Sequence, residues 1–154
     1  MAVFRALLVP VDGSEQSNAA TALAIRIADD QKAFVTFVNV VEVEKIIASV
    51  IPGNKFADPT PVIEQLRAAG AGILRGAIAK AQEAGVQAHS QMAEGDCVET
   101  VVELAKTTGS DLIVLGTHGR KGLERLVLGS VADGVVRKSP VPVLTAKVQE
   151  VHSA

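Results

Sequence analysis

Apolar runs and helical periods alternate along the chain. Between the runs, apolar residues recur every three or four positions, as Ala19, Leu23 and Ile27 do, and this spacing predicts helices. The runs themselves are rich in aliphatic residues and predict five strands, over residues 4–10, 33–43, 86–93, 111–115 and 141–146. Strands separated by helices imply βαβ units, which place the strands in a parallel sheet with right-handed crossovers.

The order of these elements predicts the fold class. The chain has no internal repeat and no linker, so we expect an α/β protein with a single domain over residues 1–154. Its core should be an open, doubly wound, Rossmann-like sheet of five parallel strands with helices on both faces. Ser14, Thr60 and Asp96 are predicted helix N-caps. The irregular stretch 44–60 should hold a flexible connection with a short helix.

Composition narrows the class of protein. The chain is 48% hydrophobic but has no Trp, no Tyr and only 4 Phe, so its core must be aliphatic. The net charge is -2 and no basic patch stands out, which argues against a nucleic-acid partner. No apolar stretch reaches the roughly 20 residues of a membrane span, and the first residues lack signal-peptide features. With Cys97 as its single cysteine, the chain is expected to be cytoplasmic, without a membrane partner.

The segment after the fourth strand carries the clearest chemistry. Gly116 follows the buried run, Gly119 comes three residues later, and Gly129-Ser130 begins the helix predicted near residues 130–138. In an open α/β sheet, ligands bind beyond the carboxyl ends of the strands, where this segment lies. Glycines let backbone amides approach phosphate oxygens, and a helix N-terminus adds free N–H groups and a positive dipole end.

Two interpretations of this segment remain open from spacing alone. Arg120 and Lys121 could pair with the outer phosphates of a ligand. Equally, a glycine-rich βα loop can be a tight turn whose glycines serve only as caps. The segment contains neither a P-loop nor the dinucleotide-binding fingerprint, so no standard phosphate motif decides between them.

The glycine spacing resembles the ATP-binding signature of the universal stress protein family. Gly116-x-x-Gly119 is followed, after nine residues, by Gly129-Ser130. Residues 9–17, VPVDGSEQS, are similar to that family's first strand and turn, and SPVPVLTAK is similar to its last strand. The resemblance covers nearly the whole chain. It implies a five-stranded parallel sheet and places the chain in the branch that keeps the glycines and binds ATP.

The resemblance also implies a role for each matching residue. It places Asp12 near the ribose and adenine side, lines that pocket with Pro10 and Val11, and sets Val40 against the adenine. The residues implied around the ribose and phosphates are Gly116, Thr117, His118, Gly119, Arg120, Gly129, Ser130 and Val131. Alternatives stay open for three of the residues. Helix capping would account for Asp12, core packing for Val40, and an exposed loop position for His118.

A catalytic constellation is missing from the sequence. The three histidines have no metal-binding spacing, Cys97 has no CxxC partner, and no nucleophile elbow is present. The resemblance, together with this absence, implies an ATP-binding stress-response regulator, not an enzyme, in which nucleotide occupancy modulates conformation or partner binding. A ligand-free dimeric stress module and a slow ATPase remain alternatives. Mg²⁺ or Mn²⁺ could enter with the phosphates, with Asp12 as the candidate carboxylate.

The last predicted strand should form a homodimer. Residues 141–146 end the regular structure and should lie at a sheet edge, where unpaired backbone groups need cover. Pro140 and Pro142 fit an edge better than a central strand. Pairing with a second copy across a two-fold axis would cover both edges, and members of the resembling family commonly dimerise in this way. The alternative is a monomer whose tail, residues 147–154, folds back over the edge.

Overall fold

Five parallel strands form one sheet in the order β3-β2-β1-β4-β5. The computed structural model describes residues 2–50, 57–117 and 128–148. The strands are β1 Ala6–Pro10, β2 Phe34–Val41, β3 Ala88–Glu94, β4 Leu112–Gly116 and β5 Val143–Ala146. The predicted five-stranded parallel sheet is confirmed, with β1 at its centre and β5 at an edge.

Helices cover both faces of this sheet. They are α1 Glu15–Gln31, α2 Val43–Val50, α3 Thr60–Glu83, α4 Cys97–Thr107 and α5 Ser130–Lys138. Side chains of α1 and α3 share one core cluster with alternate strand residues, and side chains of α4 and α5 share the other. Leu7, Leu8 and Val9 of β1 are all fully buried, because successive side chains point into opposite clusters. This arrangement is the doubly wound α/β fold that the sequence predicts.

Two of the three predicted helix caps are confirmed. The Ser14 hydroxyl accepts a hydrogen bond from the Ser17 N–H at 3.1 Å, and the Asp96 carboxylate accepts one from the Glu99 N–H at 3.0 Å. Each polar side chain satisfies an N–H that the first helical turn leaves without an intrahelical partner.

The third predicted cap, Thr60, is wrong by one position. Thr60 is the first residue of α3, the residue before it is Pro59, and the Thr60 N–H donates to the Asp58 carboxylate at 3.0 Å. The Asp58 carboxylate, two residues upstream, therefore satisfies one of the N–H groups at the start of α3. The short helix expected within residues 44–60 is α2, which begins one residue earlier at Val43.

The last strand is shorter than predicted. It begins at Val143, and the segment before it contains Pro140 and Pro142, which have no N–H to give to a ladder. The Pro142 carbonyl still accepts a hydrogen bond from the Ile113 N–H at 3.0 Å, so the chain is already aligned with β4 there. The edge segment thus follows the sheet from Pro142, while regular pairing starts with Val143.

At the amino ends of β1 and β4, one carboxylate forms hydrogen bonds that join the two strands. Asp111, just before β4, accepts hydrogen bonds from the N–H groups of Arg5 at 2.9 Å and Ala6 at 3.1 Å. Its own N–H donates to the Ala6 carbonyl at 2.8 Å. These bonds align the entry of β1 with that of β4, the two strands whose other ends carry the candidate site.

Among helices in the described ranges, none combines the length and apolar character of a membrane span.

Candidate functional site

The winding direction of the sheet reverses between β1 and β4. The two strands are neighbours and parallel, so Pro10 and Gly116 end at the same edge of the sheet. The chain then leaves β1 into α1 on one face, and leaves β4 towards α5 on the other. Diverging connections of this kind open a crevice outside the carboxyl ends of the strands, which is where open α/β sheets bind ligands.

One wall of the crevice is the segment after β1. The Val11 N–H extends the pairing with β2 by donating to the Val38 carbonyl at 2.8 Å. Beyond that bond, side chains replace the ladder. The Asn39 Nδ2 donates to the Val11 carbonyl at 2.9 Å, and the Asp12 N–H donates to the Ser17 Oγ at 3.1 Å. The backbone that carries Asp12 is therefore held by buried polar side chains on both sides.

Asp12 itself is half-buried and does not cap the first helix. Its Oδ1 accepts a hydrogen bond from the Ser14 N–H at 2.8 Å, and Ser14 is the residue that caps α1. The carboxylate thereby tightens the turn between β1 and α1 and is held at the edge of the crevice. The capping alternative for Asp12 is wrong, since Ser14 is the N-cap residue of α1.

The other wall is built around Thr117, which follows β4 and is 4% exposed. Its N–H donates to the Ala146 carbonyl at 3.1 Å, and its carbonyl accepts from the Gly129 N–H at 2.7 Å. Gly129, directly before α5, therefore lies beside Thr117 at the end of β4. The segment between these contacts contains the candidate residues His118, Gly119 and Arg120, which lie outside the described residues.

The N-terminus of α5 has N–H groups available for an anion. Gly129 is the N-cap residue and its N–H is taken by Thr117, and no side chain of the described residues caps this helix. Helical geometry leaves the N–H groups of Ser130, Val131 and Ala132 without intrahelical acceptors. Asp133, the acidic residue of the first turn, is paired with Arg137 at 3.1 Å. The helix dipole adds positive potential at this end.

The two described glycines of the pattern differ in whether the structure requires a glycine. Gly129 has φ -61° and ψ 161°, an extended conformation open to any residue, so its backbone does not demand glycine. A Cβ on Gly116 would lie 2.8 Å from the backbone carbon of Gln16. Gly116 therefore lets β4 end against the first turn of α1, a packing role that the sequence interpretation missed.

The apolar candidates lie on two sides of the sheet. Val11 is buried in the cluster beneath α1 and α3, whereas Val40 is half-buried and packs against the cluster beneath α4 and α5. Pro10, the last residue of β1, is half-buried. Core packing thus accounts for part of Val40, and both Pro10 and Val40 keep some exposed surface at or near the carboxyl ends of their strands.

A cleft of about 160 Å³ between α1 and α3 also touches Val11. Its lining includes Thr21, Ile73, Gly76 and Lys80, which places it on the face covered by α1 and α3 and away from α5. Ligand pockets for nucleotide-sized molecules are usually about 300–1,000 Å³. This cleft is too small for a nucleotide, and the crevice at the switch point remains the candidate site.

A charged cluster surrounds the thiol beside the site. The Glu42 Oε2 lies 2.6 Å from the Lys45 Nζ and accepts the Cys97 N–H at 3.3 Å, and Asp96 lies 4.0 Å from Lys45. Burial raises the pKa of the Cys97 thiol to about 12, and the Glu42, Asp96 and Asp12 carboxylates add to the rise. The half-buried Cys97 thiol therefore stays protonated at neutral pH, which disfavours its reaction as a thiolate. Across the described part of the chain, His, Cys, Asp and Glu form no group of three suited to a metal ion.

A family model, a curated relative and a solved structure all match this chain to universal stress proteins. Residues 4–147 match the universal stress protein family. Universal stress protein MJ0531 of Methanocaldococcus jannaschii is 36% identical over 145 residues, which cover 94% of this chain and 83% of that protein. The structure of hypothetical protein MJ0577 shares the fold, with a TM-score of 0.84 at 22% identity over 97% of this chain and 100% of that one. A universal stress protein solved in complex with cAMP is 27% identical, with a TM-score of 0.66 over 93% and 96% of the chains.

The raised pKa of Cys97 predicts how the thiol reacts with iodoacetamide. Because the thiolate is the reacting species, the alkylation rate of the native protein should rise about tenfold per pH unit between about pH 8 and 10. The urea-unfolded chain provides the control, and its rate should level off around the ordinary thiol pKa of 9.0. A native rate that also levels off near that pH would contradict the assigned environment of Cys97.

Proposed function

Because this chain belongs to the universal stress protein family, we propose that it is a stress-response regulator that binds ATP in the crevice between β1 and β4. Nucleotide occupancy would change the conformation of the segments around the crevice, and with it the choice of partner. We place this activity in the cytoplasm, in keeping with the free thiol of Cys97. The alternatives are a dimeric module without a ligand and a slow ATPase.

The N-terminus of α5 at the switch point, which no described side chain caps, carries the proposal. Three backbone N–H groups, beginning with that of Ser130, point out of the helix beside the end of β4. An anion there would satisfy them and interact favourably with the helix dipole. The Ser130 hydroxyl would add a donor. Gly129, without a side chain, leaves the approach to these groups open. His118, Gly119 and Arg120 would complete the phosphate side.

The opposite wall suits the ribose and the base. Asp12 offers a carboxylate that can accept hydrogen bonds from ribose hydroxyls, while Pro10, Val11 and Val40 offer apolar surface. The relative solved with cAMP supports an adenine nucleotide as the ligand class, since it is 27% identical and matches 93% of this chain. We assign Gly116, at the end of β4, and Thr117, in the wall beside α5, to the surroundings of the ribose and phosphates.

We propose binding without rapid turnover. The described carboxylates near the crevice already hold structural groups: Asp12 bonds the Ser14 N–H, and Glu42 bonds Lys45 and the Cys97 N–H. A general base must be within reach of the attacking water and able to take its proton, a task these bonds disfavour. Mg²⁺ or Mn²⁺ would enter with the phosphates, with Asp12 as the candidate protein ligand.

A charge placed at position 129 tests the phosphate site. Gly129→Asp should raise the melting temperature slightly, because Asp is a favoured N-cap in the conformation that Gly129 adopts. The same change should weaken ATP binding by at least about tenfold, since the carboxylate would repel the phosphates. Calorimetric titration with Mg–ATP and thermal unfolding measure the two effects.

Gly129→Asn is the matched control for this change. It adds nearly the same bulk and a comparable cap without the charge, so its loss of ATP affinity should be clearly smaller. Equal losses in the Asp and Asn variants would assign the effect to bulk. Unchanged ATP affinity in both variants would mean that the phosphates do not bind at the N-terminus of α5.

We also propose that the chain forms one domain and dimerises through β5. The two sheet edges differ: β3 exposes polar side chains, including His89, Ser90 and Gln91, whereas β5 exposes Leu144. An apolar edge with unpaired backbone groups is the one that needs cover. Antiparallel pairing of two β5 strands across a two-fold axis would provide it.

Lysine at the exposed edge position tests the dimer. Leu144→Lys should shift the protein from dimer to monomer in sedimentation at micromolar concentration, because two like charges would meet at the interface. Gln91→Lys adds the same charge on the opposite edge strand and should leave the dimer intact. A monomeric wild type, or a Leu144→Lys variant that stays dimeric, would argue against this interface.

A further inference from the structure

We propose that Asn39 is a positioning residue for the nucleotide site, and that Gly70 provides the space in which its side chain acts. The inference rests on the proposed function, because its consequence is the placement of Asp12 against a bound nucleotide. Asn39 is 8% exposed and lies in β2, an otherwise apolar strand apart from Thr36. It would act on the ligand only through the backbone of the neighbouring strand.

The peptide group between Val11 and Asp12 is held at both of its polar atoms. Its carbonyl accepts from the Asn39 Nδ2 at 2.9 Å, and its N–H donates to the Ser17 Oγ at 3.1 Å. Ser17 is 5% exposed, so both partners are buried. Fixing the two atoms fixes the plane of the peptide, and this sets the direction in which the Asp12 side chain leaves the backbone. Leaving a buried carbonyl unpaired is costly, so the Asn39 bond resists reorientation of that plane.

Gly70 of α3 keeps the Asn39 side chain in place. Gly70 is buried against β2, and a Cβ built on it would lie 2.8 Å from the Asn39 Cγ and 3.0 Å from the Met92 Cε. Any larger residue at position 70 must push the amide or the helix away. Gly70 has ordinary helical geometry within α3, so its backbone conformation does not require glycine. The close approach to Asn39 is the reason for a glycine here.

Glycine-to-alanine changes in α3 separate positioning from stability. Alanine favours a helix over glycine, so Gly70→Ala alone gains helix propensity while displacing the Asn39 amide. Gly76 is the matched control, because a Cβ there meets nothing within 4 Å. We would titrate Mg–ATP by calorimetry into the wild type, Gly70→Ala, Gly76→Ala, Asn39→Ala and the Asn39→Ala/Gly70→Ala double variant. The temperature is chosen so that every variant is folded.

The expected pattern is a coupled loss of affinity. Gly70→Ala and Asn39→Ala should each weaken ATP binding by about tenfold, the equivalent of one hydrogen bond. The double variant should bind no more weakly than Asn39→Ala, because the methyl group added at position 70 then occupies vacated space. Gly76→Ala should raise the melting temperature and bind ATP like the wild type.

Other outcomes overturn the inference in distinguishable ways. Wild-type affinity in Gly70→Ala, or additive losses in the double variant, would remove the role of Asn39 while leaving the proposed function in place. A loss in Gly76→Ala equal to that in Gly70→Ala would also overturn it, by assigning the effect to the α1–α3 cleft. A wild type that binds no nucleotide would overturn the proposed function and this inference together.

Asn39→Asp covers the case in which Asn39→Ala fails to fold. An ionised carboxylate at position 39 cannot donate to the Val11 carbonyl, but the protonated acid can. The variant should therefore approach wild-type affinity at acid pH and lose it as the pH rises, relative to the wild type measured at the same pH. A ratio of affinities that does not change with pH would contradict the positioning role.

Discussion

A parallel sheet that is buried on both faces must satisfy its backbone polar groups wherever a strand leaves the ladder. β1 and β4 leave it side by side at the carboxyl edge and depart towards opposite faces. Each exit is stabilised in its own way: the Val11–Asp12 peptide by two buried side chains, and Thr117 by the backbones of β5 and Gly129. The candidate site consists of these two exits and the crevice between them.

The described carboxylates beside the two exits take part in hydrogen bonds of the framework. Asp12 closes the turn before α1, and Glu42 joins the start of α2 to the start of α4. Each carboxylate therefore holds the framework in place, whereas the N–H groups at the start of α5 have no side-chain cap among the described residues. Such an arrangement is suited to holding an anion between fixed walls. It is the ground on which we propose that the chain binds a nucleotide without rapid turnover.

Much of this fold could be predicted from the sequence because its signals are local. Fully apolar runs such as that of β1 identify strands buried on both faces, and the alternation with helical periods implies parallel pairing. Ser14 and Asp96 were predictable caps because their side chains bond an N–H only three residues away. Thr60 failed because Asp58, two residues upstream, already bonds its N–H. The last strand was predicted too long because Val141 is apolar and was included in the strand. Pro140 and Pro142, on either side of it, have no N–H groups for regular pairing.

The candidate site was only partly accessible to such reasoning. The glycine pattern and Asp12 stand in sequence motifs, but Asn39 and Gly70 act through contacts between distant parts of the chain. A single amide in an apolar strand was the available signal for Asn39, and its partner could not be inferred without the register of β1 and β2. The role of Gly116 likewise depends on how closely α1 approaches β4. Long-range packing therefore decides which residues are positioned and which are merely nearby.

The most direct test is an NMR titration of the ¹⁵N-labelled protein with Mg–ATP, followed residue by residue. Our account predicts that the largest shifts of backbone amides occur on both walls of one crevice, at Asp12 and at Ser130 to Ala132. Amides at the amino edge of the sheet, such as those of Arg5 and Ala6, should serve as internal references and move little. Shifts confined to other surfaces, or no shifts at millimolar ATP, would contradict a nucleotide site at the junction of β1 and β4.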